Sequence, residues 1–220
     1  MSQGSKGKII TIAQHKGGAG KTTLSTQIAA ALSCSGTNIL LLDLDPQGSS
    51  TEWFKAREQT LGDKNKIHHA KLQGWRLMKD LAAYRDQYDY VIIDTPPHAE
   101  SESSISIRMA DLVLIPVQPS PLDIWACAPT LKLVLADKKS LLIVLNRVPS
   151  KSKLNVMIMD KLEGMGIPVS HQALGNRVSF AASIMMGLGV VEYEPRSTAA
   201  DEIRGLINEI QKQKPITKAA

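Results

Sequence analysis

Ile9-Ile10-Thr11-Ile12-Ala13, followed by Lys16-Gly17-Gly18-Ala19-Gly20-Lys21-Thr22-Thr23, is the stretch that decides how this chain folds. The apolar, β-branched run reads as a strand, and the segment from Thr23 to Ser33 (TLSTQIAAALS) has the composition of a helix. Between them, glycines at 17, 18 and 20 let the backbone turn tightly and aim its N–H groups at an anion. Lys21 is then placed to reach the outer phosphates of a nucleotide, and the Thr22 hydroxyl to ligate Mg²⁺. The N-terminus of the helix faces the same anion. A glycine-rich turn alone is weak evidence, and an ordinary strand-to-helix turn is the bland alternative; Gly-Lys-Thr between a strand and an alanine-rich helix is much more specific.

Two further apolar runs end in carboxylates. Asn38 to Leu42 leads into Asp43-Leu44-Asp45-Pro46-Gln47-Gly48, and Tyr88 to Ile93 leads into Asp94-Thr95-Pro96-Pro97. Continuous apolar runs are what strands buried on both faces require, and ligands gather at the carboxyl ends of such strands. Asp43 and Asp45 alternate with Leu44, so in an extended chain they share one side. One carboxylate can then face the outer shell of the Mg²⁺ while the other orients water; two aspartates there could instead cap the next helix. Asp94 stands where a strand-end carboxylate holds Mg²⁺ through its water shell.

The lysine at the front of the loop sets this pattern apart. His15 occupies the position of the usual first glycine, with Lys16 beside it. K-G-G-A-G-K-T resembles the deviant Walker A motif of the ParA/MinD family of ATPases, DLDPQG resembles that family's switch I, and the segment after Asp94 its switch II. Val117-Gln118-Pro119-Ser120-Pro121-Leu122-Asp123 is similar to a further family segment, closest to small plasmid-partition members of the ParF type. The likeness covers roughly residues 7 to 211. It implies a doubly wound α/β fold of P-loop NTPase type, with a mostly parallel sheet and helices on both faces. It implies that ATP and Mg²⁺ are bound, with Lys16, Gly17, Gly18, Ala19, Gly20, Lys21, Thr22, Thr23 and the adenine contact Asn146 as the nucleotide site. In such proteins Lys16 crosses to the nucleotide of a second subunit in an ATP-bound homodimer, and Asp45 is the aspartate needed for hydrolysis. Lys16, Lys21 and Asp45 are thus the expected catalytic residues, with Thr22 a direct metal ligand and Asp43 and Asp94 in the outer shell.

Composition bounds the rest. The chain has 220 residues, a net charge of +5 and a pI near 9.2, and it reads as one domain with frayed tails at 1–6 and 215–220. No secretory signal is expected, and no apolar run approaches the ~20 residues of a membrane span. Cys34 and Cys127 lack metal spacing and read as buried small hydrophobes in helices of a cytoplasmic protein. His68 and His69 fall in a polar stretch after switch I, His98 follows the strand-end prolines, and His171 opens a strand-like segment; none has ligand spacing.

The basic balance suits phosphate-backbone contacts that read no bases, with Arg147, Lys151, Lys153 and Arg177 as candidates; an ordinary solvated surface is the alternative. From Asp201 to Lys214, Ile203, Leu206, Ile207 and Ile210 form one helical stripe without Trp or Phe, which favours packing on the sheet over a membrane. Trp53, Trp75 and Trp125 read as packing or interface residues rather than DNA-stacking ones. The function implied is a partition ATPase that cycles on nucleoid DNA, stimulated by a ParB- or ParG-like centromere-binding or cargo-adaptor protein. Positioning of a chemoreceptor cluster or microcompartment, MinD-like membrane cycling and a non-catalytic scaffold are the rival readings.

Overall fold

A computed structural model describes residues 6–97, 100–150 and 153–213. Six parallel strands form one sheet in the order β3-β2-β4-β1-β5-β6. They are β1 Lys8–Ile12, β2 Ile39–Asp43, β3 Ile67–Lys71, β4 Tyr90–Asp94, β5 Leu112–Val117 and β6 Ser140–Leu145. The chain leaves β1 toward β2 and β3, returns through β4, and then adds β5 and β6 on the other side. The direction of winding therefore reverses around β1, and a crevice opens at the carboxyl ends of the central strands.

Helices cover both faces, as right-handed crossovers between parallel strands require. On one face α1 (Lys21–Cys34), α2 (Ser49–Leu61), α8 (Val178–Met185), α9 (Val190–Tyr193) and α10 (Thr198–Lys212) pack over Ile10, Ile12, Leu41 and Leu114. On the other, α3 (Gly74–Gln87) sits on Leu42 and Val91, while α4 (Glu100–Met109), α6 (Ala128–Ala136) and α7 (Lys153–Gly164) cover Val113, Ile115 and Ile143. The short α5 (Pro121–Ala126) runs directly into α6. The strand residues of β2, β4 and β5 are buried almost without exception. Each fully buried Leu or Ile contributes ~1.5–3 kcal/mol, so these runs supply much of the driving force.

α10 takes its apolar stripe into this core: Ile203, Leu206 and Ile210 are fully buried against α1. Ser197 caps the helix by accepting from Ala200 N, and Lys8 Nζ donates to the Ile210 and Gln213 carbonyls at its other end. Among the described residues no helix is long and apolar enough to cross a membrane.

Several expectations need correction. The polar stretch that holds His68 and His69 is strand β3 at the edge of the sheet; β3 pairs with a single neighbour, so it never had to be an apolar run. His171 opens no strand; the chain on either side of it makes two isolated bridges, Ile143 to Val169 and Val148 to Gly175. Cys34 is exposed, because it is the last residue of α1, and Cys127 is buried at the junction of α5 and α6 rather than within either helix. The packing expected of Trp53 is present, since it is buried and its indole donates to the Leu188 carbonyl; Trp125 is exposed. The tails at 1–5 and 214–220, His98 and Lys151, and the side chains of Trp75 and Lys153, lie outside the described residues.

Candidate nucleotide site

Pairing registers bring the chemistry together. Asp94 at the end of β4 is in register with Ile12 on one side and Asp43 on the other. The loop that leaves β1 therefore opens directly over the two strand-end aspartates. Within it, Gly18 and Gly20 have φ of 77° and 95°, in the region that favours glycine. Gly20 is constrained twice, because a Cβ there would meet Asn146 Nδ2 at 2.3 Å.

Lys21 opens α1 and is buried, its Nζ donating to the carbonyls of Gln14 at 2.9 Å and Lys16 at 3.3 Å. Burial lowers its pKa, opposed by the charges of Asp94 and Asp45. The lysine thus rests on its own loop, pointing across the space an anion would fill.

Asp94 is fully buried and accepts from the hydroxyls of Ser25 and Thr22. Among the described residues its second oxygen, Oδ2, has no partner. Burial raises its pKa to about 7; the charge of Asp43 adds to this, while the two hydroxyls and Lys21 oppose it. A buried carboxylate with an orphaned oxygen, beside a threonine hydroxyl, suits a hydrated divalent cation.

Asp43 is committed elsewhere. Its Oδ1 accepts from Asp45 N at 3.0 Å, and its Oδ2 accepts from Thr51 N at 3.0 Å and Thr51 Oγ1 at 2.6 Å. Gly48, at the N-cap of α2, has no side chain to cap the helix, and Asp43 does so from the end of β2. The capping alternative raised by the sequence is thereby realised for this residue. Asp45 is buried and its Oδ1 accepts from Gln47 N, which shapes the turn after β2. Lys71, from the end of β3, fastens the same turn by donating to the Pro46 carbonyl at 2.9 Å.

Lys16 occupies the rim. Its Nζ lies 2.9 Å from Asp123 Oδ1, and the lysine side chain is 41% exposed against 8% for the aspartate. Ser120 completes the arrangement by donating to Asp123 Oδ2. Gln118 Nε2 donates to the Gly18 carbonyl, so the loop after β5 and the helix α5 that follows it each touch the glycine-rich loop. Asp123 stood in a quoted motif but carried no role, because its partner lies 107 residues away. Ser25, Thr51 and Lys71 were likewise not singled out; nothing in their local pattern marks them.

Asn146 sits at the end of β6, with Nδ2 donating to the Ala19 carbonyl and Oδ1 accepting from Arg147 N. It braces the glycine-rich loop. Arg147 is exposed and held at a φ of 54°. Arg177, also expected on a phosphate-binding surface, instead has Nε and Nη2 within 2.6–3.1 Å of the Glu202 carboxylate. A forked pair of this kind uses the guanidinium's best donor geometry and cancels its charge, which leaves Arg147 as the described candidate with an open side chain.

Comparison with known proteins agrees with this geometry. Residues 10–215 match the model of the CobQ/CobB/MinD/ParA nucleotide binding domain. The chain is 30% identical over 212 residues to Maintenance of carboxysome distribution protein A of Halothiobacillus neapolitanus, covering 91% of this chain and 95% of that protein. It is 25% identical to Sporulation initiation inhibitor protein Soj of Bacillus subtilis, covering 93% and 98%. Among solved structures, an ATP complex of a Cyanothece McdA variant superposes with a TM-score of 0.78 at 20% identity, covering 97% of this chain and all (100%) of the other. The MinD cell division ATPase of Pyrococcus furiosus gives 0.79 at 19%, covering 94% and 99%. With a loop, two strand-end aspartates and a match across nearly its whole length, the chain belongs to the ParA/MinD family of P-loop nucleotide-binding proteins.

Proposed function

We propose that this protein is an ATPase that binds ATP with Mg²⁺, dimerises around the bound nucleotide, and positions a cargo by holding to nucleoid DNA until hydrolysis releases it. The observation that carries this reading is the division of labour between two lysines. Lys21 is buried inside its own loop, while Lys16 stands at the exposed rim with one carboxylate partner. Only the second can serve a nucleotide held by another subunit.

The residues divide the work accordingly. Backbone N–H groups from Gly17 to Gly20 and the Lys21 ammonium neutralise the phosphates. Thr22 supplies a hydroxyl to the metal, and Asp94 with its free Oδ2 supports the metal's water shell, with Asp43 behind it. The cation, once bound, neutralises charge that builds on the phosphate oxygens. Asp45 orients the attacking water; the bond between the terminal phosphorus and its bridging oxygen breaks as the water oxygen bonds to phosphorus. Lys16 from the second subunit stabilises the charge on the transferring group. Since one cation comes from the partner, turnover and dimer lifetime are coupled. Asn146 lies beside the loop where the base would be read.

DNA would be held through phosphate contacts by Arg147 and the neighbouring basic residues Lys151 and Lys153, which places the protein on the nucleoid. An adaptor would stimulate hydrolysis. Two cargo classes fit: a replicon delivered by a centromere-binding protein, and a protein microcompartment. The name and 91% coverage of the Halothiobacillus relative favour the second. The deciding experiment is sedimentation of Asp45→Ala and Lys16→Ala with ATP. The first variant should accumulate as a dimer that binds DNA with a steep salt dependence, and the second should stay monomeric. A monomeric Asp45→Ala protein would overturn the reading.

A further inference from the structure

The two edges of the sheet are finished differently. Outside β6 the chain comes back: Ile143 N donates to the Pro168 carbonyl, Ser170 N to that of Ile143, and Leu174 N to that of Leu145. Nothing comparable follows β3 among the described residues, where β2 is its one strand neighbour. Leu72 N donates to the Asp43 carbonyl, and the strand period is two, so the N–H groups of Ala70 and His68 also turn toward β2. The backbone groups of His69 and Lys71 therefore face outward. Ile67 N, which faces the same way, is satisfied by the Asn65 side chain.

A groove of about 740 Å³ runs along this edge. Its walls are aromatic, from Phe54 on α2 and Tyr84 and Tyr88 at the end of α3, and Phe54 stacks on His69 with ring centroids 4.9 Å apart. Among the described residues the carboxylates that line it are Glu58 and Asp63, both exposed, and no lysine or arginine lines it.

We propose that the open edge of β3 is the docking site of the stimulating partner protein, which adds an extended segment as a further strand and seats a basic side chain between Glu58 and Asp63. Main-chain pairing to His69 and Lys71 supplies affinity, and the acidic pair with the aromatic walls supplies selectivity. A second copy of this chain suits the edge less well. Lys64, Lys66 and Lys71 bracket β3, and self-pairing would bring a second set of these lysines against the first.

The same strand touches the catalytic turn and the first turn of α2 that follows it. Lys71 Nζ holds the Pro46 carbonyl at 2.9 Å. His69 Nε2 lies 3.4 Å from Thr51 Oγ1, which donates to Asp43 at 2.6 Å. A segment bound along β3 would fix His69 and Lys71 and, through them, the turn that carries Asp45. Docking would thereby reach the water-orienting residue without entering the nucleotide crevice. This deepens the proposed function and rests on it for the coupling, though not for the binding.

The test uses the full-length protein and a set of acetylated octapeptides of alternating valine and threonine, with a single arginine moved along the chain. Binding is followed without nucleotide, by hydrogen exchange at individual amides. Exchange at His69 and Lys71 should slow at least about tenfold on saturation. The Glu58→Gln/Asp63→Asn variant should weaken binding about tenfold while its basal phosphate release stays unchanged. Peptides N-methylated at alternate residues should not bind. The docking site is overturned if no peptide protects these amides, if the methylated peptides bind equally well, or if the protein alone sediments as a β3-paired dimer. Phosphate release is then measured with the bound peptide: stimulation in the native chain that Thr51→Val abolishes supports the coupling, and binding without stimulation overturns it. A protein that binds peptide but releases no phosphate under any condition refutes the ATPase reading and leaves the docking site standing.

Discussion

Lys16 Nζ is 2.9 Å from Asp123 Oδ1, so the cation at the mouth of the nucleotide loop is held by a carboxylate of its own chain. Burial works to raise the pKa of Asp123; hydrogen bonds from Lys16 and Ser120 together with the Lys16 charge outweigh it and leave the carboxyl below its ordinary value. A depressed carboxylate pKa contributes stability above the unfolded-state value, near 4, and loses it as pH falls through the folded value. The contact is therefore complete at neutral pH and opens only in acid.

Releasing that contact should ease dimerisation. Asp123→Asn keeps the shape and the Ser120 interaction while removing the charge that competes for Lys16. Since a half-exposed ion pair is worth up to about 1 kcal/mol, the ATP concentration for half-dimerisation should fall about two- to fivefold. Light scattering during an ATP titration measures this. An unchanged midpoint would show that the Asp123 contact does not oppose assembly.

Lys21→Ala should reduce ATP affinity on the order of 100-fold or more, as expected for loss of charge-assisted hydrogen bonds to phosphate in a buried loop. Calorimetric titration reads the effect directly.

The metal-free protein should lose stability as pH rises from about 4 to 7. Asp94 has a folded-state pKa of about 7, well above the ordinary carboxylate value of 3.8. Between those values the native state keeps a proton that the unfolded chain releases, so stability falls with increasing pH. Urea melts in chelator should show this slope, and Asp94→Asn should flatten it. Mg²⁺ with nucleotide should displace the proton, so binding near pH 7 should release acid in proportion.

Arg57 tests the packing that carries α2. The guanidinium is almost fully buried and paired with Glu192 at 2.6 Å, with further bonds to Asn65 and the Gly187 carbonyl, and it lies over the Trp53 ring. Arg57→Ala leaves a carboxylate without its cation and should cost about 3–5 kcal/mol in urea-induced unfolding. Since α2 begins just after the turn bearing Asp45, a loss of ATPase activity larger than the loss of folded protein would show that this anchor also positions the turn.

How legible each part was follows from where it is buried. The central strands could be read because both faces are covered, which demands unbroken apolar runs such as Leu40-Leu41-Leu42 and Val91-Ile92-Ile93. β3, with its sequence IHHAK, could not, because an edge strand has no such demand. Lys21, Thr22 and Asp94 were found through local spacing at strand ends. Asp123, Thr51 and Lys71 went unnoticed because each acquires its meaning from a partner that only folding brings near, 107, 8 and 25 residues away, and the pairing of Arg177 with Glu202, 25 residues on, was hidden for the same reason.

From the order of residues alone came the kind of fold, the glycine-rich loop and the strand-end carboxylates, since short-range sterics and one-dimensional burial patterns are written into neighbouring positions. Only the folded chain decided which charges are paired, which carboxylate caps a helix, and which edge of the sheet stays open. Those outcomes depend on desolvation and on pairings that span from 8 residues (Asp43 with Thr51) to 107 (Lys16 with Asp123), and such pairings exist only after the sheet has brought the ends of its strands together.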